Sequence, residues 1–418
     1  MRVQHLSTTR SRRRRLLYVV SDDRFFRSHR LPLAEAAVQY GYDVTVASPP
    51  PGDVEAYRAS GIHHCPIRMR RDGRTLLDEA MAFIRIAHTI RQHRPDIVHL
   101  VTARPILYGG IACRLFGIPS VSAVTGLGYA FTHADSRARR LQRLLVVGYG
   151  SAIRSHRNHV VFQNEDDLGL FRANNILGRA SWSIVRGSGV DLERIKPRPL
   201  PAGRTSLVLP ARMLRDKGVC EFVAAARILR RRGIEATFRL VGDPDASNPT
   251  TLSRGQLLAW AEEGIVEWRP YTQDIETVLA ESHIVVLPSY REGFPKTLID
   301  AAAAGRVCAT TDVTGCRDAV VTGVTGVLFR PRDPEDMVRV LEPLILDRDR
   351  QVVMGNAARR HAEASFDVRE TCRAHLQVYE TMTSHVPVIG MRSEVIHHLS
   401  FEGDHAEGNP INISRRAS

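Results

Sequence analysis

The stretch Tyr290–Asp318, YREGFPKTLIDAAAAGRVCATTDVTGCRD, decides how the rest of the chain is read. The apolar run His283–Pro288 (HIVVLP) precedes it, and a second apolar run, Arg306–Thr311 (RVCATT), lies within it, so a short helix is enclosed between two strands. That order is a βαβ unit of a parallel sheet. Pro295 suits the first helical position, where a missing N–H costs nothing, and Gly305 suits the position just past the end. Lys296, Thr297 and Leu298 then fall in the first turn, where amide groups lack intrahelical acceptors and carry the positive end of the helix dipole. A phosphate fits such a helix start. Two acids frame it: Glu292 just before the helix and Asp300 within it, eight residues apart.

This Glu-Gly-Phe turn followed by an acid on a helix resembles the donor-binding motif of family 4 retaining glycosyltransferases. The resemblance implies that Glu292 meets the transferred sugar, that the amides of Thr297 and Leu298 meet the diphosphate, that Asp300 meets the ribose hydroxyls, and that Gly293 and Phe294 belong to the same donor-binding turn. The family usually carries glutamate at the second acid. Aspartate is shorter by one C–C bond, roughly 1.5 Å, so a water-mediated ribose contact is an alternative.

Length and composition set the frame for this motif. The chain has 418 residues, 43% apolar and 25% charged, which is ordinary globular composition and enough for two or three domains. Its six cysteines (65, 113, 220, 308, 316 and 372) have no C-x-x-C spacing, which argues against a zinc site or a disulfide framework and for a reducing cytosol. No apolar run approaches the roughly 18 residues that span a bilayer. The net charge of +13 is uneven, with 31 basic and 16 acidic residues over 1–200 against 27 and 29 over 201–418. A basic first half suits an anionic membrane surface or a lipid-linked anionic substrate. Nucleic acid is not expected, since no recognition motif or interleaved aromatics accompany the charge.

In chain order, Met1–Arg15 reads as a basic flexible tail, and Leu16–Val20, a helix over Leu31–Tyr40 and Asp43–Ala47 make a first βαβ unit. The turn between them, SDDRFFRSHRLP (Ser21–Pro32), holds no G-x-G-x-x-G, so a dinucleotide cofactor is not supported. Its Phe25, Phe26, Ser28, His29 and Arg30 resemble the corresponding turn of family 4 members acting on lipid-linked glycans, which makes His29 and Arg30 acceptor-side candidates. Gly126 and Gly128, in the turn after strand Pro119–Val124, allow close backbone approach to a ligand. Many family members have a histidine near this point; here His99 and His133 are the nearby alternatives. A lone histidine is more often structural. Arg137–Arg157 is a basic, apolar helical stretch suited to an interfacial membrane contact, with Tyr149 and Leu144–Val147 as its apolar side.

The second domain opens with strand Leu207–Pro210, then Arg212 and, five residues on, Lys217. Two cations on a strand-to-helix loop suit a diphosphate, with Arg212 forking and Lys217 acting as a point charge. Lysine occurs only at 196, 217 and 296 in this arginine-rich chain. Asp243-Pro-Asp245 formally gives a metal-binding D-x-D, though its place after a strand end reads as an ordinary loop.

The expected fold is α/β of GT-B type, two Rossmann-like parallel-sheet domains facing a cleft, with a C-terminal helix crossing back to the first. The expected divisions are a tail over 1–15, an acceptor-side domain over 16–194, a linker over 195–204, a nucleotide-sugar domain over 205–383 and a loose tail over 384–418. The expected activity is transfer of a hexose or N-acetylhexosamine from a UDP-sugar to a polyprenyl-diphosphate-linked glycan, with retention of configuration implied by the family resemblance. Catalysis falls to Glu292, Arg212 and Lys217, without a metal or other cofactor, at the inner face of the cytoplasmic membrane. A sugar-nucleotide epimerase or hydrolase of the same fold and a non-catalytic nucleotide-binding protein are the alternatives.

Overall fold

The computed structural model describes residues 12–50, 54–69, 75–128, 131 and 136–384. The tails expected over 1–15 and 384–418 fall almost wholly outside these residues, as does His133. Among the described residues thirteen strands form two sheets. The first holds β1 (Arg15–Val20), β2 (Asp43–Ser48), β3 (His63–Pro66), β4 (Ile97–Val101), β5 (Ser120–Ala123), β6 (Asn158–Phe162) and β7 (Ser181–Ile184) in the order β3-β2-β1-β4-β5-β6-β7. The second holds β8 (Thr205–Pro210), β9 (Ala236–Val241), β10 (Glu267–Arg269), β11 (Ile284–Leu287), β12 (Val307–Thr311) and β13 (Gly326–Phe329) in the order β10-β9-β8-β11-β12-β13. Every strand pairing is parallel.

Parallel strands need crossover helices on both faces, so the central strands are apolar on both sides. In β1, Leu17 and Val19 enter one buried cluster while Leu16, Tyr18 and Val20 enter another. In the second sheet, Leu207 and Leu209 go to one face and Val208 to the other. Each sheet thus carries a core on each face, and the loops at the C-terminal strand ends are left to form sites.

The last helix, Val368–Thr383, leaves the second sheet and packs on helix Leu31–Tyr40 and on β4, β5 and β6. Its Tyr379 is fully buried, shares a hydrogen bond with the Tyr18 hydroxyl at 2.9 Å and meets His99 Nδ1. The chain therefore passes between the domains twice. The two passages touch: the Val190 amide donates to the Phe366 carbonyl at 2.8 Å, and the Val368 amide donates to the Val190 carbonyl at 3.0 Å. A Cβ on Gly189 would lie 2.6 Å from Val368 Cα, so this approach depends on glycine. Val190, Leu192 and Ile195, ahead of most of the 195–204 stretch, already pack with Leu298, Ile299 and Phe366 on the second domain.

Candidate active site

Strand β8 ends at Pro210, and the chain turns out through Arg212 to a short 3-10 turn at Arg215–Lys217. Backbone bonds to three neighbouring segments help hold this loop. Ala211 donates to Val241, Met213 donates to Asp243 at 3.0 Å, and Tyr290 donates to the Asp216 carbonyl at 2.9 Å. Gly218, at φ +70°, lets the turn press on the end of β11: a Cβ there would lie 2.2 Å from the Pro288 carbonyl oxygen. Lys217 is carried by this packing onto Glu292, and the two side chains form an ion pair, one-fifth and one-seventh exposed respectively. Arg212 pairs with Asp245 at 2.7 Å and is half exposed.

The helix over Lys296–Ala303 starts beside this pair, one residue later than expected. Pro295 is extended, at φ −75° and ψ 117°, and is the cap instead of the first helical residue. Its carbonyl accepts the Leu298 amide at 3.0 Å, so Leu298 is withdrawn from the expected diphosphate donors and the open amides of this turn are those of Lys296 and Thr297. No side chain caps them, which leaves the dipole end to a ligand. Asp300 is 4% exposed and pairs with Lys296 at 2.8 Å, one turn away. All three cations of the cluster are thus matched to a carboxylate: Lys217 to Glu292, Arg212 to Asp245 and Lys296 to Asp300.

Burial bears on two of the expected residues. Phe294 is 5% exposed and packs edge-on against Phe366 at 5.5 Å, so its ring is core and a donor contact there would fall to its backbone. Arg30 is 1% exposed, enclosed with Tyr18, Tyr379 and Cys372, and its guanidinium is held below the ordinary range by that burial. It is no acceptor-side group. His99, the alternative histidine, is also fully buried and stacks between Tyr18 and His375.

His29 behaves differently. It ends the first helix, stacks on Phe25 at 4.2 Å and bonds Ser28 through Nδ1 at 2.7 Å. Burial, then the positive charges of Lys296, Arg30 and Lys217, bring its pKa down to about 3. Two of those charges belong to the second domain, so a neutral imidazole from the first domain stands within electrostatic reach of the cation cluster. Gly126 and Gly293 meet across the cleft. A Cβ on Gly126 would lie 3.3 Å from the Gly293 amide nitrogen, and one on Gly293 would lie 2.4 Å from the Thr125 carbonyl oxygen. Gly128 has open space at its Cβ but a left-handed φ of +64°.

The acids of the D-x-D segment are engaged by the protein. Asp243 accepts the Tyr271 amide at 3.3 Å, and Asp245 accepts Ser247 and Arg212. Among the described residues no group of three or more His, Cys, Asp or Glu side chains is placed to hold a metal ion. All six cysteines are free.

Two facing parallel-sheet domains, with cations and a helix start gathered at the cleft between them, define a glycosyltransferase of GT-B type. Two family models match: glycosyl transferase 4-like over residues 15–156 and glycosyl transferases group 1 over 204–347. The chain belongs to the family 4 glycosyltransferases. It is 24% identical over 318 residues to a Campylobacter jejuni N,N'-diacetylbacillosaminyl-diphospho-undecaprenol alpha-1,3-N-acetylgalactosaminyltransferase, covering 73% of this chain and 82% of the relative. It is 23% identical to an Escherichia coli UDP-Gal:alpha-D-GlcNAc-diphosphoundecaprenol alpha-1,3-galactosyltransferase, covering 68% and 74%. Among solved structures, a sucrose-phosphate synthase from Thermosynechococcus elongatus superposes with a TM-score of 0.76 at 16% identity, covering 88% of this chain and 99% of that one. Anabaena HepE in complex with UDP and glucose superposes with a TM-score of 0.68 at 18% identity, with the same coverage.

Proposed function

We propose that this enzyme transfers a hexose or N-acetylhexosamine from a UDP-sugar, with retention, to a polyprenyl-diphosphate-linked glycan at a membrane surface. The convergence of Glu292, Lys217, Arg212 and the Lys296–Thr297 helix start at one cleft carries the reading. A nucleoside diphosphate leaving group develops negative charge as the glycosidic bond breaks, and fixed cations and amides stabilise that charge without rearranging. With Lys217, Arg212 and the helix start in this role no metal ion is required. Glu292 orients the sugar through its hydroxyls, and neutral His29 faces it from the acceptor side. The undecaprenol-linked acceptors in the names of the Campylobacter and Escherichia relatives support the acceptor class. The test is turnover of UDP-sugars with and without a polyprenyl-diphosphate glycan, in EDTA. Product that requires the acceptor and survives chelation is expected. Hydrolysis indifferent to acceptor, or loss in EDTA restored by Mg²⁺, overturns the reading.

A membrane-facing surface completes this proposal. On helix Ser136–Ile153, Arg139, Arg140 and Arg143 are exposed, as are Leu141, Leu144 and Val147, the last at 69%. Tyr149, expected on the apolar exposed side, is instead buried against Phe171. The adjoining helices add exposed Leu115 and Phe116, then Leu77, Met81 and Ile84. Among the described residues no helix is long and apolar enough to cross a membrane. Cations interleaved with exposed aliphatic groups suit shallow seating on an anionic leaflet, where each arginine contributes about 1 kcal/mol. Reversing Arg139, Arg140 and Arg143 to glutamate is expected to lower co-sedimentation with anionic vesicles at least tenfold, and high salt to act the same way. Equal binding to neutral vesicles, or indifference to the reversal, would remove this face from the proposal.

A further inference from the structure

Helix Glu165–Ala173 of the first domain begins Asn164-Glu165-Asp166-Asp167, a composition that complements any helix dipole. What its side chains touch is less general. The Asn164 side chain caps the helix, its Oδ1 accepting the Asp167 amide at 2.8 Å, while its Nδ2 donates to the Gly293 carbonyl at 2.7 Å and to Asp167 Oδ2 at 3.1 Å. The other carboxylate oxygen of Asp167 accepts Arg291 Nη2, and the Asp167 side chain is wholly buried. Burial pushes its carboxyl above the ordinary range against the pull of Arg291 and Asn164. Asp166 Oδ2 accepts the Thr314 hydroxyl at 2.7 Å and Arg317 Nη1 at 2.9 Å. The Thr314 carbonyl in turn accepts the Glu292 amide at 3.1 Å.

The interdomain bonds of this set converge on the Glu292 loop: two end on its neighbours Arg291 and Gly293, and a third ends on Thr314, whose carbonyl accepts the Glu292 amide. Asp167 holds the Arg291 side chain, Asn164 holds the Gly293 carbonyl, and Asp166 holds the residue that receives the Glu292 amide. Behind the loop, Gly315 packs so tightly that a Cβ there would lie 2.6 Å from the carbonyl oxygens of both Glu292 and Gly293. We infer that Asn164, Asp166 and Asp167 form an interdomain latch whose closure sets the position of Glu292, so that cleft closure and assembly of the donor site are one event. Asp167 and Arg291 are positioning residues in this scheme. A buried ion pair is weak support for stability, so the role assigned to this one is to fix geometry.

The inference rests on the transferase reading only for its kinetic test. Asp167→Asn keeps the shape and removes the charge; it is expected to lower kcat at least tenfold while the Kd for UDP, measured by calorimetry, stays within twofold. Asp166→Asn, at an exposed position, is expected to lower kcat about threefold, which guards against misfolding of the buried variant. The double variant Asp167→Asn/Arg291→Gln should be no worse than its worse single parent, because one pair is lost in each case. Small-angle scattering needs no turnover: the ligand-free Asp167→Asn protein should have a larger radius of gyration than wild type. A wild type inactive with every UDP-sugar would sink the transferase reading and leave scattering to judge the latch. Unchanged dimensions, wild-type kcat, additive losses, or UDP affinity falling in step with kcat would each overturn it.

Discussion

Replacing Lys217 with alanine should lower kcat/KM for the sugar donor by roughly 10²–10³, the loss typical when one fixed stabiliser of developing charge is removed, about 2.7–4 kcal/mol. Two consequences combine in this variant. The diphosphate loses a cation held on a rigid turn, and Glu292 loses the partner of its ion pair. Arg212→Ala is expected to cost less, about tenfold, because its guanidinium is half exposed and water screens what it contributes. The ordering matters more than either value. Steady-state kinetics on variants with unchanged melting temperature make the comparison. Equal losses at the two positions, or none at Lys217, would refute the assignment of Lys217 as the principal charge.

Gly293→Ala should be as severe without touching any charge. A Cβ at this position would meet the Thr125 carbonyl oxygen at 2.4 Å, the Thr125 carbonyl carbon at 2.6 Å and Gln163 Oε1 at 2.6 Å. The first two are backbone of the opposing domain, and backbone at the end of a buried strand cannot turn aside as a side chain tip can. The domains must part to admit the methyl group. A kcat reduced at least a hundredfold, with UDP still bound by the second domain, is the expected result. Gly128→Ala is the comparison, since nothing lies within 4 Å of its Cβ and only the strain of its positive φ is at stake. Near-wild-type kcat for Gly293→Ala would mean that catalysis proceeds with the cleft further open than it stands here.

Much of the fold was legible because a parallel sheet buried on both faces imposes continuous apolar runs. LLYVV at residues 16–20 and HIVVLP at residues 283–288 are such runs, and both lie at or near sheet centres. The edge strands of the first sheet were not read. β3 is HHCP and β7 is SWSI, with one side open to solvent and no demand for an apolar run. The grouping of the second-domain candidates was legible for a related reason: Arg212 with Lys217, and Glu292 with Asp300, are close in sequence and sit on or beside loops whose shape follows from local turn chemistry. The helix start was misplaced by one residue because proline is at ease both as the cap and as the first helical residue. The first-domain half was hidden. Asp167 and Arg291 are 124 positions apart, and the EDD run that supplies Asp167 is what any helix start prefers. Arg30 misled for the opposite reason: a cation beside a cleft residue was taken for an exposed one, when its side chain runs under the final helix.

The two passages between the domains, hydrogen-bonded to each other at Val190, Phe366 and Val368, also determine how the molecule can move. Rigid bodies joined by one flexible thread are free to twist, slide and tumble relative to each other. Joined by two threads knotted together at a single point, they keep little beyond a swing about that point. Sliding is removed and turning about that point remains, and the latch at Asp166 and Asp167 lies where such a turn brings the two domains together.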